Sequence, residues 1–581
     1  MRYTFAINLI TIGLITACTS SHTDTTPEAK QITAKPEASI QQNTQLEELA
    51  INTAEQQPMP ALADIATTAQ PMVRHKALHG GANYSMVPPY IAPQPQQVDR
   101  ENYLAIKENG VKLTREEPLS TFSIDVDTAA YSNVRRMLNL EGRLPPSDAV
   151  KLEEMVNYFS YDYPTPNNEK PFSVNTEVAP AMWDSSKLVM QIGLQGKKPP
   201  AAERPAANLV FLVDVSGSMH SANKLPLLKK SLRLLVNQMR DDDTIALVTY
   251  AGNAGLVLDA TPAKNQRKII NAIERLEAGG STHGSAGIHL AYEVAQNHLK
   301  KDGINRILIA SDGDMNVGTT SVDALKKLIK VKRESGIALT TLGFGSGNYN
   351  DAIMEQLADV GNGNAAYIDS LKEAQKVLVN EVQSTLMTIA KDVKIQVEFN
   401  PELVAEYRLL GYENRLLQRE DFNNDKVDAG EIGAGHTVTA LYELTLRGKS
   451  TSIDPLRYQK PSPTNKVSPP AKNTDELAFV KLRYKAPNGN KSQLISYPVM
   501  YTDKKPSFAK ASDNLRFASS VAGFAQLLRN SDHLSSLNYS DVLAVARSAK
   551  GGDKHGYRAE FTTLVELAEQ LDGRVLSENT Q

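Results

Sequence analysis

Residues Asn208 to Met219 read NLVFLVDVSGSM, and the fold follows from how that stretch is parsed. The apolar run Leu209 to Val213, rich in β-branched and aromatic side chains and bounded by turn signals, predicts a buried strand of a parallel sheet. Immediately after it, Asp214, Ser216 and Ser218 alternate as Asp-x-Ser-x-Ser, with Gly217 allowing a tight bend. One carboxylate and two hydroxyls on a strand-to-helix turn are hard oxygen donors of the kind a divalent cation takes. The competing reading gives the same polar residues only helix-capping and turn roles.

Two later segments bear on that choice: GGSTHG at Gly279 to Gly284 and ASDGDMNVG at Ala310 to Gly318. Together with DVSGSM they resemble the metal-ion-dependent adhesion site of von Willebrand factor type A domains. The resemblance implies that Thr282 and Asp312 complete a site with Asp214, Ser216 and Ser218. It also implies a magnesium ion, with manganese or calcium as alternatives, held by the serines and the threonine while the aspartates act through water. A vacant position on the ion would then take a carboxylate from a protein partner. His283 stands where the family commonly has asparagine.

Working outward, strand and helix patterns alternate through Thr244 to Tyr250, Arg306 to Ala310, Ala338 to Phe344 and Ala365 to Ile368. Helices are expected around 264–276, 285–300, 322–333, 351–360 and 371–387. That alternation predicts an α/β fold with a central doubly wound, mostly parallel sheet, Rossmann-like in layout, with its ligand-bearing loops at the carboxyl ends of the strands. The von Willebrand factor type A unit is assigned to 205–388.

Before it, residues 100–200 form an expected N-terminal α+β extension, with a strand at Thr121 to Val126 and a helix from Ala129 capped by Asp127 or Thr128. A second helix near Ser147 and a hairpin at Phe172 to Leu194 containing Trp183 complete it. After it, alternating segments predict a β-rich unit at 390–505, and apolar stripes predict helices within 506–575. The segments PLSTFSIDVDTAAYSNVRRML and GFGSGNYNDAIMEQLADVGNGNAAYID, with the C-terminal region, resemble the bacterial YfbK-like group of these proteins.

At 581 residues the chain is too long for one domain, and a net charge of −3 argues against nucleic acid as a partner. The only cysteine is Cys18. A weakly basic start, an apolar run from Phe5 to Ile15 and the sequence Ile-Thr-Ala-Cys resemble a bacterial lipobox, which makes 1–18 a signal peptide ending in a lipidated Cys18. Residues 19–99, rich in Thr, Gln, Ala, Pro and Glu, read as a disordered tether with room for a short helix near Gln45 to Gln56. The expected location is the cell envelope, lipid-anchored on the periplasmic side. Thr19, in the position where an inner-membrane retention signal would show aspartate, resembles an outer-membrane sorting pattern.

Other motifs are weighed and set aside. Asp421, Asn423 and Asp425 have the spacing of a calcium loop, but Lys426 and Ile432 stand where such a loop needs Gly and Glu, so a polar turn is expected. Asp125 and Asp127 form a second carboxylate pair, read as helix-capping and surface-exposed rather than metal-binding. Ser507 to Lys510 and Ser512 to Asn514 match two elements of penicillin-recognising enzymes, without the third. No catalytic set emerges. The expected function is therefore an envelope-anchored, non-enzymatic protein-binding module; a metal-dependent envelope hydrolase and a structural lipoprotein with a fold-stabilising metal are the alternatives.

Overall fold

The strand Ala207–Asp214 is buried along its whole length, because it has a parallel neighbour on each edge and helices on both faces. The computed structural model describes residues 100–166, 170–252, 254–280, 284–313, 321–454, 475–534 and 536–578. Their elements fall into three blocks. The first holds β1 (Lys112–Leu113), β2 (Leu119–Ser123), α1 (Ala129–Arg136), α2 (Leu152–Asn157), β3 (Phe172–Pro180) and β4 (Leu188–Gly196). The second holds strands β5 (Ala207–Asp214), β6 (Thr244–Tyr250), β7 (Ala254–Pro262), β8 (Ile304–Ser311), β9 (Ala338–Phe344) and β10 (Ala365–Ile368). Its helices are α3 (Leu225–Val236), α4 (Gln266–Glu274), α5 (Gly284–Asn297), α6 (Val322–Arg333), α7 (Asp351–Val360), α8 (Leu371–Gln375) and α9 (Val382–Leu386). The third holds β11 (Thr388–Phe399), β12 (Val404–Leu410), β13 (Ile432–Gly433), β14 (Thr437–Leu446), β15 (Glu476–Lys485) and β16 (Ser492–Met500), then α10 (Asp513–Arg529), α11 (Tyr539–Ser548) and α12 (Tyr557–Glu578).

The second block is the expected α/β unit. Its sheet runs β10-β9-β8-β5-β6-β7, all parallel except β7, which pairs antiparallel with β6 at the edge. The period-two rule is visible within β5. Leu209, Phe211 and Val213 meet α3 and α4, whereas Val210 and Leu212 meet α5, α6 and α7. Burial on both faces is why the strand reads as an unbroken apolar run. Two details differ from the sequence reading. β7 was not anticipated, since its exposed Leu256 and Val257 break the pattern of a buried strand. The helix expected over 371–387 is broken by a π turn at Lys376–Asn380 into α8 and α9.

The expected separation of 100–200 from 390–505 does not describe how the strands pair. β2 pairs antiparallel with β11, and β4 with β14, so one sheet runs β1-β12-β14-β4-β3 and another runs β13-β11-β15-β16 with β2 beside β11. Between them lies one core, built from Phe122, Ile395, Val397 and Val480 on one side and Ile192, Leu409, Val438 and Tyr442 on the other. The physical reason is that neither stretch has a second layer of its own; each strand set buries its apolar face only against the other. The α/β unit is thus inserted into a two-sheet structure that the chain begins before it and finishes after it.

The outer face of the β1-β12-β14-β4-β3 sheet is covered by helices. Trp183, Val189, Leu410 and Leu441 share a core with Tyr131 and Phe159 from the first block and with Phe517, Phe524, Phe561 and Leu564 from α10 and α12. Hence all nine residues of β4 are buried. Among the described residues, no helix is long and apolar enough to cross a membrane. The expected signal peptide, Cys18 and the tether at 19–99 lie outside the described residues.

Candidate metal site

The carboxyl end of β5 places Asp214 at the point where the chain leaves the sheet. Its side chain is fully buried and fixed from three directions. Oδ1 accepts the backbone N–H of Ser216 at 2.8 Å. Oδ2 accepts the hydroxyls of Tyr250 at 3.2 Å and Ser311 at 3.0 Å, one from each neighbouring strand. Tyr250 and Ser311 were not singled out from sequence; only their positions at strand ends, one beside Asp312, could have marked them. Burial pushes the Asp214 carboxyl up to about 6, against the hydrogen bonds from Ser216 and Ser311.

The turn that follows presents its hydroxyls together. Ser216 is buried and Ser218 exposed, with their Oγ atoms 3.0 Å apart. Gly217 donates its N–H to Gly280 O at 3.1 Å, and Gly279 donates to Val215 O at 2.7 Å. These two bonds tie the segment leading to Thr282 onto the turn carrying the serines. Gly280 makes the bend at φ 90°, which a side chain would strain. Thr282 and His283 themselves lie outside the described residues.

Asp312, just past β8, is fully buried and faces the same turn. Burial alone would raise its carboxyl, but the Lys224 ammonium, with hydrogen bonds from Ser218 and Asn348, holds it below the usual carboxylate range. Lys224 Nζ lies 2.9 Å from Asp312 Oδ2 and 2.7 Å from Asn348 Oδ1, and Asn348 Nδ2 donates to that same Oδ2 at 3.0 Å. Lys224 and Asn348 are the functional neighbours that the sequence reading missed. Of the five expected site residues, four are described, and the structure brings all four to the carboxyl end of the parallel sheet. Two carboxylates and two hydroxyls make a hard, all-oxygen donor set that fits a magnesium-type ion.

The other carboxylate groups are answered by protein cations. Among the described residues, Asp125, Glu154 and Glu355 bring oxygens within 4.8 Å of one another. Arg415 reaches Asp125, Asp127, Glu355 and Asp359, while Lys151 reaches Glu154, Asp351 and Glu355. Asp125 and Asp127, expected at the surface, are buried, and the expected capping role of Asp127 takes another form: its Oδ1 accepts the N–H of Ala365 at the start of β10, 2.7 Å away. The first turn of α1 is capped instead by Glu154, which accepts from Ala130 N at 2.8 Å. In the 421–425 turn, Lys394 Nζ donates to the carbonyls of Asp421 and Asn424, and Lys485 Nζ to that of Asp425. The side-chain oxygens that a calcium loop would use are engaged within the protein: Asp421 accepts from Gln418 N, Asn423 from Arg483 Nε and Asp425 from Ser492 N. Ser512, from the penicillin-enzyme match, is the N-cap of α10 and accepts from Leu515 N.

Known proteins share sequence with most of this chain. Family models match at 208–385 (von Willebrand factor type A domain), 97–191 (von Willebrand factor) and 384–571 (Uncharacterized protein YfbK, C-terminal). The uncharacterized protein YfbK of Escherichia coli is 48% identical over 474 residues, covering 80% of this chain and 81% of that protein. The human inter-alpha-trypsin inhibitor heavy chain H3 is 23% identical over 273 residues, 43% of this chain and 30% of that one. A solved von Willebrand factor type A structure from Catenulispora acidiphila aligns over 68% of this chain and 90% of that chain at 13% identity, with a TM-score of 0.38.

Proposed function

Because this chain belongs to the YfbK-like group of von Willebrand factor type A proteins, we propose that it is a metal-dependent protein-binding module. Domains of this type commonly mediate protein–protein interaction, and the finer reading concerns how this one does so. Ser216, Ser218 and Thr282 hold the ion, while Asp214 and Asp312 orient its waters and balance its charge. The bound ion supplies an electrophilic centre for an oxygen ligand. One observation carries the reading: Asp214 and Asp312 are buried and locked by hydrogen bonds, whereas Ser218 on the same site is open to solvent. A site that is rigid behind and open in front leaves room for a partner's carboxylate. Magnesium is the proposed ion, with manganese or calcium able to take the same oxygens.

The proposal extends to place and chemistry. Cys18 carries a lipid that anchors the chain at the bacterial envelope, on the periplasmic side of the outer membrane. The role is binding without turnover: among the described residues of the site, Asp312 is paired with Lys224 and Asp214 accepts the hydroxyls of Tyr250 and Ser311. The test is capture of envelope proteins by the full-length chain in magnesium, in chelator and as Ser218→Ala and Asp214→Asn variants. Ser218→Ala removes one exposed hydroxyl, and Asp214→Asn keeps an acceptor for Tyr250 and Ser311. Partners that leave with chelation and with both variants support the reading. Partners retained under all four conditions overturn it.

A further inference from the structure

Beside the metal turn, α3 and the end of α4 enclose an open groove of about 520 Å³. Its floor is apolar: Met219, Leu225 and Leu276 are almost fully buried, and Ala278 is half-buried. Its rim is charged, with Lys230 exposed and Arg233 half-exposed on α3. The groove is continuous with the site along two chain segments. Met219 directly follows Ser218, and Ala278 directly precedes Gly279, whose N–H bonds to Val215 O at 2.7 Å. The wall is also preformed, because Lys229 Nζ donates to the carbonyls of Glu274 at 2.6 Å and Leu276 at 3.2 Å and so staples α4 to α3.

We propose that this groove receives an apolar side chain from the same partner segment whose carboxylate reaches the metal site. The occupant is a protein segment in which an acidic residue has a leucine-, methionine- or phenylalanine-sized neighbour. The inference rests on the metal-dependent binding proposed above and specifies its partner. The charge of the groove selects this occupant: Lys229, Lys230 and Arg233 face Glu274 and Glu277, and Arg233 already holds Glu274 at 3.3 Å. The balance is positive and lies next to a cation site, so it favours an acidic segment over a basic one. The buried floor asks for an apolar contact, and burying one such side chain is worth about tenfold or more in affinity.

The experiment selects binders from a displayed library of random peptides on the full-length chain in magnesium. Selected peptides are then measured against the wild type, Ser218→Ala, Ala278→Trp and Lys230→Glu. Ala278→Trp fills the groove from a half-buried position, and Lys230→Glu reverses one exposed rim charge; unchanged melting of each variant certifies its fold. The expected result is enrichment of peptides pairing Asp or Glu with a nearby large apolar residue. Their affinity falls about tenfold or more with Ala278→Trp and about threefold with Lys230→Glu, and replacing the apolar residue by Gly abolishes the effect of Ala278→Trp. Magnesium-dependent peptides that need an acidic residue alone and ignore Ala278→Trp overturn the groove and leave the metal reading standing. Peptides indifferent to magnesium and to Ser218→Ala overturn both.

Discussion

Lys224 sits with its Nζ 2.9 Å from Oδ2 of Asp312, and both groups are buried. The ammonium therefore occupies one face of a carboxylate that the metal site also needs. Replacing it by methionine, which keeps the length of the side chain near Gly345, removes a like charge from beside the ion. At a few ångströms such a repulsion is worth on the order of 1 kcal/mol or more, so Lys224→Met binds magnesium about tenfold tighter. Without metal the same variant leaves the buried Asp312 carboxylate without the Lys224 ammonium, and loses about 3–5 kcal/mol of stability. The check is melting with chelator and with magnesium: the variant melts lower than wild type in chelator and gains more on adding the ion.

The junction around Lys151 and Arg415 predicts how stability varies with pH. Six carboxylates, Asp125, Asp127, Glu154, Asp351, Glu355 and Asp359, contact these two cations. Burial, with too few cations to offset it, pushes Glu154 up to about 8 despite Lys151, and raises Asp127 and Asp351 as well. A carboxyl raised in the folded state holds a proton that the unfolded chain has released, so its contribution is full below the ordinary carboxylate range and is lost as pH rises through the folded value. Glu355 is lowered, and its contribution is lost only in stronger acid. The melting temperature is therefore higher by about 2–4 °C near about pH 5.5 than near about pH 8.5. Glu154→Gln, neutral throughout, flattens that slope; an equal slope in wild type and variant excludes Glu154 as its source.

Arg135 predicts a second kind of junction. Its guanidinium contacts Asp369 and Glu373 of the α/β unit, Glu560 of α12 and the hydroxyl of Tyr158, so one side chain of α1 joins three blocks of chain. Lysine keeps the charge but cannot reproduce the planar fork that serves these partners together. Arg135→Lys costs about 2 kcal/mol and Arg135→Met about 3–5 kcal/mol, because the latter leaves buried carboxylates without their cation. Urea denaturation orders the three proteins as wild type, Lys, Met; identical midpoints for all three show the network to be dispensable.

What could be read from the sequence follows from which contacts are local. The run at 209–213 and the turn after it are set within a dozen residues, so strand, turn and Asp214, Ser216 and Ser218 were all legible. Asp312, like Thr282, came only from the resemblance to the von Willebrand factor type A site. Lys224 and Asn348 were not legible, because their relation to Asp312 depends on two loops meeting across the sheet edge rather than on spacing. The pairing of β2 with β11 joins residues such as Ser123 and Lys394, and no periodicity carries partner information over that distance. The strand patterns of 100–200 and 390–505 were visible as strands, but which sheet each entered was not. Asp125 and Asp127 looked like caps because two carboxylates before a helix usually are; Arg415 is what draws them inward instead.

The C-terminal helices are needed by the sheet they cover, and the protein's only tryptophan reports it. Trp183 is 3% exposed, in the core formed with α10 and α12, and its indole N–H donates to Glu443 on β14. Phe517, Val521, Phe524, Phe561, Leu564 and Val565 of those helices are each 1% exposed or less. Withdrawing six such side chains forfeits on the order of 10 kcal/mol of apolar burial, comparable to the whole stability of a typical domain. It also uncovers Ala179, Val189 and Leu441, together with the buried Gln191, Arg408 and Glu443 that share their sheet face. A chain ending after Pro506 therefore shows tryptophan emission shifted to the red, binds apolar dyes and loses most of its soluble yield, while the same chain with 506–578 supplied as a separate polypeptide recovers part of each. Unchanged emission and yield in the truncated chain would mean that the helices are appended to the sheet rather than built into its core.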